Sequence, residues 1–444
     1  MWVAAMTLLR KHAAKLAVGA LTMCVCLGYA HGQSNQKPAE LPAPTPLGPR
    51  QTFTLESAIV WALERNPEIA AIRERRGIAA AGIVIARTYP FNPALEAEIR
   101  ATDGPVSATI TNRVSNIYKV LQELEVRKQG MYRRQGAYAA LSRTEYEIAY
   151  QELLLAGRVM SAFNTVLYRR QKLQILDATI TLNERTLQQV DTMFNAGTKT
   201  VSPADVIFAR SELNKSRALQ ATGRSQLVTA VNDFRRQLGE VDLEFDLIGA
   251  LDYGVKEWDI ETLTGAALSA RPDLRARQAA VSEAQASLNL TNANRYGNPT
   301  LGPDYEYDPT RINLLGVQLN LPLPVFNTHR GDVFQRRAEL TQKSLEVRQN
   351  EVVIREDVRT AVERLRSATA QVGIYTKTRA DLERALTDIQ ALFQQRGTDL
   401  VRVIEIERTL IGARDGTLDA LFELSQARAD LAIAVGDPAF SVGP

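Results

Sequence analysis

The strongest constraint on this chain is where its prolines are absent. Residues 106–202 and 325–437 contain none. Proline is tolerated at helix starts and turns but breaks helix interiors, so each run can hold very long helices. After residue 50 most of the prolines gather in two islands instead: Pro90, Pro93 and Pro105, then Pro299, Pro303, Pro309, Pro322 and Pro324.

The two halves also match each other. Leu63-Glu64-Arg65-Asn66-Pro67-Glu68-Ile69 aligns with Leu268-Ser269-Ala270-Arg271-Pro272-Asp273-Leu274. Asn92-Pro93-Ala94-Leu95 aligns with Asn298-Pro299-Thr300-Leu301, and Phe194-Asn195-Ala196-Gly197-Thr198 with Phe393-Gln394-Gln395-Arg396-Gly397-Thr398. The spacing predicts an internal duplication, each half reading helix, two strands, a long helix and a shorter one. Leu141, Ile148, Leu155, Val166, Leu173, Leu176, Ile180, Leu187, Val190 and Phe194 keep one heptad register. Val347, Ile354, Val358, Val362, Leu365, Val372, Leu382, Leu386, Ile389 and Phe393 do nearly the same. Sevens give left-handed coiled-coil packing, and an occasional eleven straightens it. Taken as Met131–Ala196, the first long helix would span ~99 Å at 1.5 Å per residue, too long for a globule. A plain coiled-coil scaffold is the alternative.

Inside the proline islands the period changes to two. Leu95, Ala97, Ile99 and Ala101 share one face, with Glu96, Glu98 and Arg100 on the other. The matching segment puts Leu301, Pro303, Tyr305 and Tyr307 against Gly302, Asp304, Glu306 and Asp308. The second strand of the first half sets Tyr118, Val120, Leu124 and Val126 against Lys119, Glu123 and Glu125. Its counterpart sets Leu315, Val317, Leu319 and Leu321 against Gly316, Gln318 and Asn320. Such alternation marks outer-membrane barrel strands, apolar to lipid and polar to lumen. A soluble sheet with one buried face would alternate too. Four strands cannot close, and open edges do not survive in hydrocarbon. Two chains would give eight strands, whose interior side chains fill; three would give twelve and a lumen.

Charge and rare residues exclude other classes. Lys plus Arg is 53 and Asp plus Glu is 50. The excess sits in residues 1–30, which hold Arg10, Lys11 and Lys15 and no acid. The remainder is neutral, unlike a nucleic-acid binder. Cys24, Cys26 and His12 lie in that same segment, leaving only His31 and His329 beyond it. This argues against a thiol enzyme, a zinc site or a Ser-His-Asp hydrolase. No enzyme, cofactor or resident metal is expected.

Residues 1–30 read as a secretory signal, with small residues Gly28 and Ala30 before a cut at His31. A lipoprotein cut before Cys24 is the alternative, although Met23 stands where a small residue is expected. Residues 31–53 read as a proline-rich extended strap, 54–238 as the first repeat and 239–258 as a connector. Residues 259–438 read as the second repeat and 439–444 as a tail.

These residues together resemble the TolC-like outer-membrane efflux proteins over essentially all of 54–438. The resemblance rests on Leu55-Glu56-Ser57-Ala58 before Arg65-Asn66-Pro67-Glu68, on Asn92-Pro93-Ala94-Leu95, and on Gly316-Val317-Gln318-Leu319-Asn320-Leu321-Pro322-Leu323-Pro324-Val325-Phe326-Asn327. It rests also on Phe194-Asn195-Ala196-Gly197 continuing to Ala204-Asp205-Val206, and on Gly397 followed by Val403-Ile404-Glu405. Gln122-Glu123-Leu124-Glu125-Val126-Arg127-Lys128-Gln129-Gly130 is similar to the CzcC-type heavy-metal branch.

The resemblance implies a mostly helical fold with a small membrane β part, assembled as a homotrimer. A 12-strand barrel in the outer membrane would continue into a 12-helix periplasmic tunnel. It implies a periplasmic adaptor, an inner-membrane transporter of the RND type, outer-membrane lipid and no nucleic acid as surroundings. Metal cations or drugs would be exported; a type I secretion duct or a poreless periplasmic adhesin are the other readings. Gly197, Thr198, Ser202, Gly397, Thr398 and Val401 are the expected adaptor-contact tips. Asp205 and Glu405 are the expected gate rings, favouring cations, with Arg402 pairing an acid on a neighbouring helix. The bland reading makes these three solvated surface charges. Glu96, Glu98, Glu123, Glu125, Asp304 and Glu306 are expected along the barrel lumen, and Tyr89, Phe91, Tyr118, Tyr296 and Phe326 at its rims.

Overall fold

A computed structural model describes residues 51–101, 114–196, 201–251, 258–394 and 400–437. In chain order these form β1 (Gln51–Phe53), α1 (Leu55–Arg65), α2 (Pro67–Arg73), α3 (Arg75–Arg87), β2 (Ala94–Ala101), β3 (Val114–Glu123), α4 (Gln129–Asn195) and α5 (Pro203–Leu238). There follow β4 (Phe245–Leu247), α6 (Ile260–Ala270), α7 (Pro272–Asn294), β5 (Thr300–Tyr307), β6 (Asn313–Asn320), α8 (Arg330–Gln394) and α9 (Leu400–Val435). The chain is mostly helical, as expected, and its long helices come in two matching pairs. Helices α4 and α8 have 67 and 65 residues; α5 and α9 have 36 each. At 1.5 Å per residue α4 is about 100 Å long.

Pro67 and Pro272 stand at the first position of α2 and α7, where a missing N–H costs no hydrogen bond. Each therefore ends the preceding helix and restarts the next. The first half breaks once more at Glu74, so its opening helix is three pieces rather than one. The short helices end on Gly239 and Gly436, both left-handed with φ of 83° and 87°. Each glycine lies against the matching break. A Cβ on Gly239 would come within 2.8 Å of the Asn66 Cα, and one on Gly436 within 2.9 Å of the Arg271 Cγ.

Each half has its own apolar core at equivalent heights. The first gathers Leu155, Val159, Phe163 and Val166 with Phe234 and Phe245. The second gathers Ile354, Val358, Val362 and Leu365 with Leu424 and Leu431. Phe53 is 1% exposed and meets Phe234 and Phe245 edge-on. The end of the segment read as a strap is thus part of the first core, because β1 pairs in parallel with β4.

The remaining strands form one antiparallel sheet in the order β2-β3-β5-β6. Sequence alternation carried the second strand to Val126, but the ladder stops at Glu123. Arg127 and left-handed Lys128 then turn the chain into α4.

Candidate functional site

Register makes the sheet amphipathic across all four strands. Leu95 faces Val120, Tyr118 faces Tyr305, and Leu301 faces Leu319. With Ile99 and Val317 these make one apolar face that no helix covers among the described residues. Leu315 is 84% and Val317 74% exposed there, which water alone would not favour over so wide a patch.

The opposite face carries Glu96, Glu98, Asp304 and Glu306 together, as their alternation required. It is not purely acidic. Lys119 sits between Glu96 and Asp304 in the ladder, and Arg100 holds Glu98 at 2.7 Å. Tyr118 lies within the apolar face. Tyr89, Phe91, Tyr296 and Phe326 lie outside the strands. The Tyr89 hydroxyl donates to the Glu123 carbonyl and accepts from the Glu125 N–H.

One acid of the expected row is tied at the strand end and another leaves the row. The Glu123 carboxylate accepts from the Asn298 amide at 2.9 Å, tying the strand end to the second half. Glu125 lies beyond the ladder, and its carboxylate is buried against the Arg133 guanidinium of α4. It belongs to the junction between sheet and helix, since the strand had already ended.

At the far ends of the long helices, Gly197, Thr198, Gly397 and Thr398 lie outside the described residues. Ser202 caps α5, and Val401 stands in the first turn of α9. The Asp205 carboxylate accepts from the Ser202 N–H and hydroxyl, both at 2.8 Å, closing a capping box. The Ser202 N–H first, then its hydroxyl, holds the Asp205 carboxyl below its ordinary value. Arg402 and Glu405 approach to 3.8 Å one turn apart on α9, so within the chain Arg402 faces its own helix. Both are well exposed.

Two polar clusters were not singled out by sequence reasoning. Lys172 of α4 holds Asp415 at 2.6 Å and Asp419 at 2.9 Å on α9. The Tyr168 hydroxyl also donates to Asp419 at 2.7 Å, and the Tyr168 ring stacks on Phe422. Burial would lower the Lys172 pKa, but hydrogen bonds to Asp415 and Asp419 outweigh it and raise it well above the lysine value. Two aspartates four residues apart share one helix face, which was the available sequence signal.

The second cluster surrounds Arg271, 4% exposed, at the break before α7. Its guanidinium donates twice to Asp273, once to Asp357 and once to the Ala434 carbonyl. The Asn350 amide adds a bond to Asp273. Asn66 occupies the matching place in the first half and donates to the Gln237 carbonyl. A charged residue at a repeat position otherwise filled by an amide was the missed signal. Among the described residues no group of acids, cysteines or histidines could hold a metal ion, and no helix is long and apolar enough to cross a membrane.

Comparison with known proteins agrees with this geometry. A family model described as outer membrane efflux protein matches residues 58–240 and 263–437, one segment per half. The pyoverdine export outer membrane protein OpmQ of Pseudomonas aeruginosa is 24% identical over 328 residues, which are 70% of this chain and 66% of that protein. The chain thus spans just under two thirds of that relative. The outer-membrane channel OprN has a TM-score of 0.70 at 16% identity, covering 86% of this chain and 89% of that one. CusC has a TM-score of 0.67 at 17% identity, covering 91% and 99%. The Campylobacter jejuni outer membrane channel CmeC has 0.69 at 13% identity, covering 86% and 85%.

Proposed function

The chain belongs to the outer membrane efflux protein family, and on that premise we propose that it is the exit duct of a tripartite exporter. It sits in the outer membrane with its helices reaching into the periplasm. The observation that carries the reading is the four-stranded sheet, apolar on one uncovered face and polar on the other, with the outer edges of β2 and β6 open among the described residues. Edges of that kind need partners in a bilayer. Three copies supply twelve strands and a lumen lined by the face bearing Glu96, Glu98, Lys119, Asp304 and Glu306. The long helices, continued threefold, make the periplasmic tunnel.

A periplasmic adaptor docks at the helix tips around Gly197–Ser202 and Gly397–Val401, and an inner-membrane pump of the RND type supplies the energy. The cargo is a metal cation or a small organic molecule, chosen by the pump. Asp205 and Glu405, repeated threefold near the tips, form rings of like charge that favour cations. Glu405 is the stronger candidate, because Ser202 holds Asp205 at 2.8 Å whereas Arg402 stands 3.8 Å from Glu405.

Outer-membrane fractionation with planar-bilayer recording tests the reading. A trimer in the outer membrane with step conductance is expected; a soluble monomer without conductance overturns it. For the gate, Glu405→Ala should raise the resting conductance and weaken cation preference. Unchanged values would remove Glu405 from the gate.

A further inference from the structure

The apolar row of β6 does not stop where its ladder stops. Leu315, Val317 and Leu319 share a face, and the hydrogen bonding ends at Asn320. The same period of two carries on through Leu321, Leu323 and Val325, all exposed, to Phe326, whose ring is wholly open. This run leads toward α8 and so toward the helical end of the molecule.

Two arginines share one ring beside it. Gln129, 1% exposed, fixes the turn from β3 into α4. Its amide oxygen accepts from the Arg127 N–H at 2.8 Å, and its amide nitrogen donates to the Asn298 side chain at 2.6 Å. Arg127 is thereby held against the turn that follows α7. Its guanidinium carbon lies 5.1 Å from the centre of the Tyr296 ring, and that of Arg295 lies 5.5 Å from the same centre. Arg127 Nη1 donates to the Gly297 carbonyl at 2.7 Å, and Arg295 Nε to the Thr328 carbonyl at 2.9 Å. The turn also touches the apolar run, since a Cβ on Gly297 would come within 2.7 Å of the Pro322 ring.

The acids nearby are already engaged. Glu125 is held by Arg133, Glu123 by the Asn298 amide, and Asp332 stands 3.0 Å from the His329 ring nitrogen. Among the described residues no carboxylate pairs with Arg127 or Arg295. Arg127 Nη2 and both terminal nitrogens of Arg295 keep unused donors there. Paired guanidinium forks suit phosphate oxygens. Cations and a half-exposed tyrosine just past an apolar band are the arrangement of a membrane surface, where basic residues meet anionic headgroups.

We propose that Arg127 and Arg295, on either reach of Tyr296, hold the phosphate of an anionic phospholipid in the periplasmic leaflet. Its acyl chains lie along Leu323, Val325 and Phe326. This rests on the duct reading, which makes the sheet the membrane part, and adds a lipid class and the residues that select it. A free phosphate has no chains to seat on the apolar run, so it binds far more weakly.

Native mass spectrometry of the full chain tests the site, after extraction in mild detergent and removal of lipid. Phosphatidylglycerol, phosphatidylcholine and inorganic phosphate are the probes. Phosphatidylglycerol should give adducts at lower concentration than phosphatidylcholine, and phosphate should neither bind nor compete at matched concentration. Arg127→Gln and Arg295→Gln should each weaken the phosphatidylglycerol adduct about fivefold and leave the phosphatidylcholine adduct alone. Arg295→Gln spares the Gln129 turn, which guards against misfolding of Arg127→Gln. Phe326→Ser, at a wholly exposed ring, should weaken both lipids alike. Equal retention of the two lipids, displacement by phosphate, or unchanged adducts in both arginine variants overturns the site. So does the absence of any lipid adduct, which would mean that protein covers it. Planar-bilayer recording on the same samples separates the two readings. Conductance without selective adducts defeats the lipid site and leaves the duct. Selective adducts without conductance do the opposite.

Discussion

Arg271 shows how one buried charge ties several elements together. Its guanidinium reaches Asp273 beside it, Asp357 on α8 and the last turn of α9. Removing it strands Asp273, whose side chain is only 12% exposed. Arg271→Ala should cost about 3 kcal/mol, the low end for breaking a buried pair, because Asp357 keeps access to water. Thermal melts of the detergent-solubilised channel would read the loss. Burial by itself would raise the Asp273 carboxyl, but the Arg271 bonds and charge, with the Asn350 amide, hold it below the ordinary 3.8. A depressed folded pKa gives stability that is present above the unfolded value and lost as pH falls through the folded one. Stability should therefore drop on acidification below about pH 4, and Asp273→Asn should flatten that limb of the pH profile. Gly239→Ala should also destabilise, by about 1–2 kcal/mol from its left-handed backbone alone, before the crowding against Asn66 is felt. The prolines and glycines at these breaks were legible as repeats. The Arg271 network was not, because beyond Asp273 its partners Asp357 and Ala434 come from two helices far along the chain.

At the scale of elements, α4 is the spine against which both halves pack. Its heptad positions are buried or half-buried from Leu141 to Val190, and Phe194 alone is exposed near the tip. The coiled-coil reading of the helices was thus sound in period and nearly so in length. The Lys172 tie escaped it, since a heptad count follows apolar residues and says nothing of polar ones between them. Lys172 is 22% exposed and its two aspartates more so, which limits the tie to about 1 kcal/mol. Lys172→Gln should speed hydrogen exchange in the α4 and α9 segments around residues 168–172 and 415–419 while leaving the cores protected. Equal exchange in both forms would show that apolar packing alone holds the pair. On the strands, alternation placed Glu96, Glu98, Asp304 and Glu306 on one face. It misplaced Glu125, because a period of two does not announce where a ladder stops.

For the whole molecule, the proposed duct requires the two sheet faces to answer to different solvents. Val317→Arg on the apolar face should cost about 2–4 kcal/mol if that position lies near the bilayer midplane, and so lower the yield of assembled protein in the outer membrane. Asp304→Asn on the polar face should leave assembly intact and shift the ion selectivity toward anions, read as a change in reversal potential under a salt gradient. If both variants assembled equally well, the apolar face would not be the lipid face.

The sequence by itself determined the duplication, the long helices, the amphipathic strands and the family, because these are set by local rules: proline exclusion, a period of seven and a period of two. Only the tertiary structure decided which element covers which. Cover depends on residues that meet across hundreds of positions, such as Arg271 with Ala434 or Lys172 with Asp419. The same is true of what stays bare. Val352 and Val228 read as ordinary apolar residues in the sequence, and only the tertiary structure leaves them exposed where their repeat partners Leu153 and Ser425 are buried.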